Sequence, residues 1–234
     1  MFAAALLLAS QIGVAAAAPP PAPAHAQVVV AGRWLSLPLP EGYCAFNQSD
    51  PTQTGFTESQ WRSARDAGRR VLYPFVHCEE LKGFRAKTRT NFSFGSYDAI
   101  VRSDGAVALA GNATPEEFIA SLTAKPIAPF DRGEVEGLLA VDIKRGEDPI
   151  TRTGLFEAVP DAVFLASFQR LPTGRKKNET ISAYGLSGIS VVSGVPLVVA
   201  LMSYDAPGLM IYDEMVVREK AIFASLRAAN PSKP

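Results

Sequence analysis

The chain has 234 residues, with 23 basic and 23 acidic side chains. That length suits one domain, and the balanced charge gives no electrostatic footprint for nucleic acid or an acidic membrane surface. The apolar fraction of 47% is that of a globular protein, raised by a first stretch of 24 residues without any charge.

That first stretch carries an address. Phe2 to Ala18 is an Ala/Leu-rich apolar run, followed by a Pro-rich segment and Ala24-His25-Ala26. The last three residues fit a small-x-small cleavage site, which predicts a signal peptide over 1–26 and a mature chain starting at Gln27. The run has no Lys or Arg before it, and an uncleaved anchor is the alternative. The remainder has no apolar run long enough to span a bilayer, so the mature chain is expected to have no transmembrane span. A periplasmic or secreted location follows from this reading.

Gln27–Ala31 and Trp34–Leu37 flank Gly32-Arg33 and predict a β-hairpin. Pro38 to Gly42 ends its second strand, and Tyr43 to Phe46 carries Cys44. Asn47 to Gly55 is polar and turn-rich, predicting a loop. Thr57 to Gln60 is a capping box opening a helix to about Arg70, with Trp61, Ala64, Gly68 and Leu72 at helical spacing. Val71–Cys78 predicts a strand, in which Pro74 indicates an edge position or a bulge. In an oxidising compartment Cys44 and Cys78 form a disulfide; in a reducing one they would be two buried thiols.

Phe92–Arg102 predicts a strand, turning at Asp104-Gly105 and returning through Ala106–Ala110. Thr114-Pro115-Glu116-Glu117 is a helix start, with Phe118, Ile119 and Leu122 as its buried stripe and Pro126 beyond its end. Asp131 with Glu134 predicts another helix, reaching about Lys144 and weakened by Gly133 and Gly137, with Phe130 and Val135 as a staple. Ala162–Leu171 predicts a strand, and Pro172–Asn178 a basic hairpin loop. Thr180 leads into the stretch around which the chain is organised. Gly188–Val192 and Val195–Met202 are strands joined by a tight Ser193-Gly194 turn, and a closing helix runs to Asn230. Val195–Met202 lacks polar alternation, so it should be covered on both faces. Met215, Ile222, Phe223, Leu226 and Ala229 should face the sheet. The fold expected is a single α+β domain over 27–234, mainly an antiparallel sheet flanked by helices.

Chemistry-bearing motifs are sparse. His77 beside Cys78, Glu79 and Glu80 lacks the paired spacing of a zinc site. Ser193 lacks a nucleophile elbow, and the acids Asp98 and Asp104 are a nominal pair of the kind a hydrolase uses. Gly-x-Gly-x-x-Gly and Walker sequences are absent. Lys82, Arg85, Lys87 and Arg89, and then Arg175-Lys176-Lys177, read as solvated loop charge. Asn47, Asn91, Asn112 and Asn178 each open an N-x-Ser/Thr sequence, which matters only in a host that glycosylates it. The sequence therefore nominates no catalytic, cofactor-binding or metal-ligating residue, and no cofactor. The expected function is that of a non-enzymatic accessory or binding protein of the periplasm or envelope, with an unknown protein or small molecule as partner; a periplasmic hydrolase using carboxylates is the alternative.

Two stretches carry a family likeness. Leu39-Pro40-Glu41-Gly42-Tyr43-Cys44 and Val71-Leu72-Tyr73-Pro74-Phe75-Val76-His77-Cys78-Glu79-Glu80-Leu81 resemble an uncharacterised family of exported alphaproteobacterial proteins. The order of elements also looks like the Mog1/PsbP-like α/β/α sandwich. That layout implies partner binding or assistance rather than catalysis, and carries no functional residue over to this chain.

Overall fold

In a computed structural model, the structure describes residues 25–47, 58, 61–141, 143, 148–172, 180–204 and 208–231. The expected signal run to Ala24, the Thr57 capping box, most of the 47–55 loop and the basic loop with Arg175, Lys176, Lys177 and Asn178 lie outside these residues.

The fold is α+β, with helices packed against a large antiparallel sheet. Two strands, β1 (His25–Val30) and β2 (Arg33–Pro38), make a hairpin of their own. β1 starts two residues before the expected cleavage point, with His25 opposite Pro38 and Ala26 opposite Leu37. Seven strands make the main sheet: β3 (Tyr43–Ala45), β4 (Arg69–His77), β5 (Phe94–Ile100), β6 (Ile150–Val159), β7 (Ala162–Pro172), β8 (Thr180–Val192) and β9 (Val195–Tyr204). Their spatial order is β3-β4-β5-β9-β8-β7-β6. The chain lays down β3, β4 and β5, crosses to the far edge, and winds back so that β9 enters the middle. Ser193 and Gly194 both have positive φ, as the two-residue turn between β8 and β9 requires.

Both faces of β9 are covered. Val195, Leu197, Val199 and Leu201 join the main core with Met215, Ile222, Phe223 and Leu226 of helix α5 (Ile211–Ala229). The hairpin adds Leu35 and Leu37 to that core, and Asn230 clamps it: its side chain accepts from Ser36 N and donates to Ser36 O, both at 2.7 Å. On the opposite face lie α1, described over 61–66, and α2 (Cys78–Arg85), where Leu81 and Phe84 pack with Phe94 and Met202. Helix α3 (Pro115–Thr123) has its full Thr114/Glu117 capping box, although only Ile119 of the expected stripe is fully buried. Helix α4 (Arg132–Leu139) follows, capped by Asp131, with Val135 buried.

Several boundaries differ from those expected. α1 ends before Arg70, because Gly68 takes a positive φ and its N–H turns back to Arg65 O; Leu72 therefore belongs to β4. Cys78 opens α2 instead of ending a strand, since His77 leaves the sheet as the N-cap, its Nδ1 accepting from Glu80 N at 3.4 Å. The return arm after Asp104-Gly105 forms only a bridge from Val101 to Val107. α4 stops at Leu139: its two glycines weaken it, Val141 O accepts from Arg170 instead, and the chain turns to bury Ile143. β6 was not expected at all.

The Cys44–Cys78 disulfide forms, with Cα atoms 5.2 Å apart. It ties edge strand β3 to the start of α2, so it does not join the first hairpin to the sheet. Closing that loop is worth about 3–4 kcal/mol by chain entropy. Among the described residues, no helix is long and apolar enough to cross a membrane.

One core residue is out of character. Glu219 of α5 is 0% exposed, and neither carboxyl oxygen has a hydrogen-bond partner. It fits because it lies over Gly188, where a Cβ would come within 2.4 Å of Oε2. Burial pushes its pKa well above the usual carboxylate value, with the Gly188 backbone acting the other way. The unfolded chain loses the proton near pH 4.5, whereas the folded chain holds it to higher pH. Stability is therefore lost as pH rises from that point through the raised folded value. Glu219→Gln removes the penalty. It is expected to stabilise the protein by about 1 kcal/mol or more at neutral pH and to make little difference in acid. Urea unfolding of both proteins across pH checks this; a gain that does not depend on pH would contradict a neutral buried acid.

Candidate functional site

The small residues of the sheet lie together. Where strands are in register, side chains on one face form rows across the sheet. One row is Ser96 (β5), Ala200 (β9) and Ser187 (β8); the next is Phe94, Met202, Gly185 and Ser167 (β7). Both rows are on the face away from α5. α1 spans above them, presenting Trp61, Ser63 and Ala64, and Phe46 closes one side. Short side chains under a helix leave space, and here they leave a partly enclosed cavity of about 150 Å³.

Asp98 stands one row further along β5 and lines this cavity. Its side chain is 1% exposed. Oδ2 accepts from Arg69 Nη1 at 2.9 Å, while Oδ1 has no hydrogen-bond partner. Arg69 opens β4, and a register shift between Val71 and Tyr73 falls in the stretch of β4 that faces Asp98 and Tyr97. Such a bulge re-aims the side chains around it, and bulges recur beside functional sites. Burial raises the Asp98 pKa; the Arg69 charge and the nearby Ser96 hydroxyl pull the other way without cancelling the shift. Gln169 adds to the polar lining, and among the described residues Arg69 and Asp98 are the charged ones in it.

The residues singled out from sequence are scattered. His77 is a helix cap in edge contact with the Tyr43 ring, with centroids 5.5 Å apart. Among the described residues no group of three His, Cys, Asp or Glu side chains could hold a metal ion. Ser193 Oγ donates to Asn230 O at 3.2 Å in the β8–β9 turn. Asp104 sits in an exposed turn, bound to Arg102 and to Ala106 N, so it forms no site with buried Asp98. Lys82 pairs with Glu79 and Arg89 with Glu80. Of the acids named in advance, Asp98 alone lies in the cavity; Arg69, Trp61, Ser167, Gly185 and Ser187 were not singled out.

Comparison of the chain with protein-family models, curated proteins and solved structures found no match.

The Arg69–Asp98 pair predicts a distinctive response. Arg69→Ala leaves a buried carboxylate without its cation, which is expected to cost about 3 kcal/mol at neutral pH. The loss should shrink in acid, because protonation removes the stranded charge: the folded Asp98 pKa, already raised, rises further without Arg69. Denaturant unfolding of the parent and variant across pH measures this. A cost equal at all pH values would show that Arg69 acts by packing alone.

Proposed function

We propose that this protein is an exported binding protein of the periplasm or envelope, without catalytic activity, that holds a small molecule in the cavity between α1 and the sheet. The observation that carries this reading is a preformed, partly enclosed cavity of about 150 Å³, walled by Trp61, Phe46 and Phe94 and by the Arg69–Asp98 pair. A preformed, largely apolar hollow with a few placed polar groups is the usual form of a small-molecule site. The cavity's chemistry favours holding over reacting. Among the described residues it offers one carboxylate, where acid–base hydrolysis of a glycoside uses two, and hydroxyls with no histidine beside them to activate them. The disulfide and the uncharged N-terminal run support an oxidising, extracytoplasmic address.

Two experiments test the two halves of this reading. Benzyl alcohol, benzamide, benzylamine and benzoate match the cavity in size, since a void of about this volume accepts one benzene ring. At least one of them should bind the parent with millimolar affinity or better by ligand-observed NMR. Ala200→Phe, which fills the cavity floor, should abolish that binding while the variant still melts cooperatively. Binding that survives the substitution places the ligand elsewhere. For the address, N-terminal sequencing of protein from the periplasm of the producing cell is expected to begin at Gln27; recovery of intact chain from the cytosol alone would remove that half.

A further inference from the structure

We infer that the cavity selects an uncharged ligand, one that lays a flat apolar face against Trp61. This deepens, and rests on, the ligand-binding reading above.

The argument is one of charge balance. Among the described residues Arg69 and Asp98 are the charged groups lining the cavity, and they already meet at 2.9 Å. Their charges cancel, and the other polar side chains described in the lining, Ser63, Ser96, Ser167, Ser187 and Gln169, are neutral. An ammonium ligand would leave the site with one excess positive charge beside Arg69. A carboxylate ligand would have to compete with Asp98 for Arg69 and would face Asp98 across the same small space. An uncompensated charge in a desolvated site is penalised heavily. A neutral hydroxyl or amide brings no charge, and the lining hydroxyls and Gln169 can pair with it. The remaining wall is made by Trp61, Phe46, Phe94 and Met202, surfaces that favour a flat or cyclic body.

The same balance makes the preference reversible by design. Asp98→Asn keeps the shape and unmasks Arg69, so an anion becomes the favoured guest. Arg69→Gln unmasks Asp98, so a cation does. The four one-ring probes share one body and differ in charge, and their dissociation constants can be measured on the full chain by NMR titration at neutral pH. In the parent, benzyl alcohol and benzamide should bind at least about tenfold more tightly than benzylammonium and benzoate. In Asp98→Asn benzoate should become the tightest of the four, and in Arg69→Gln benzylammonium should. A parent that prefers either ion, or an Asp98→Asn variant that keeps the parental order, overturns the inference while leaving a binding cavity in place. Absence of Ala200→Phe-sensitive binding by any of the four overturns the binding reading and this inference together. If Arg69→Gln does not fold, the Asp98→Asn comparison decides alone.

Discussion

The sheet depends on β9 lying between β5 and β8. An interior strand uses both rows of its backbone hydrogen-bonding groups, and here each row is taken by an antiparallel neighbour. Its side chains then have no solvent face, which is why Val195 to Leu201 can be so uniformly apolar. Two covering layers follow from this: α5 with the hairpin β1-β2 on one side, α1 and α2 on the other. The connection also follows. β9 is the last strand, so the middle of the sheet stays open until β6, β7 and β8 have been laid down from the far edge. The crossover over 101–149, with α3 and α4, is the path that makes this possible.

The two covered faces are packed to different standards, and two buried acids show it. On the α5 side Glu219 is fully buried over Gly188, beside a core that includes Phe223 and Phe164. Burial there favours the neutral acid. On the other side Asp98 has an arginine on one oxygen and helps line a cavity. An acid packed in a closed core can only add to or subtract from stability. A charge-balanced pair in a cavity wall can meet a neutral guest without leaving an unpaired charge. Burial alone does not separate these cases; the space next to each carboxyl does.

Much of this architecture is legible in the chain. The two-residue Ser193-Gly194 turn, the apolar run after it, the Thr114 capping box and the cysteine pair each have a local physical cause, and each appears where that cause puts it. β6 was not legible because Thr151, Arg152, Thr153 and Gly154 give weak alternation; its place comes from pairing with β7 and from the segment at Pro129 that bridges to Leu155. The cavity was half legible. In Ser96–Asp98, Ser167–Gln169 and Tyr184–Ser187, small or polar residues alternate with large ones, which is the period of a strand with one polar face. Alternation of that kind ordinarily means water on the polar side. That α1 covers that side instead is a tertiary fact, and it turns a wet face into a lined cavity.

The disulfide bears on that cavity through the chain it encloses. Everything between Cys44 and Cys78 belongs to one closed loop. Phe46, Trp61, Ser63, Ala64 and Arg69 are all inside it, whereas Ser96, Asp98, Ser167, Gly185, Ser187, Ala200 and Met202 come from strands outside it. The loop thus supplies the roof and the cation, and the sheet supplies the floor and the carboxylate. β3 is only three residues long and lies at the sheet's edge, so its backbone bonds to β4 are a weak anchor for the start of that loop. The covalent link at Cys44 holds that end, and β4, paired to β5, holds the other. Fixing both ends limits how far the roof can depart from the floor. The entropy of bringing Arg69 and Trp61 over Asp98 is then spent when the bridge forms and the chain folds, and little of it is left to oppose a ligand.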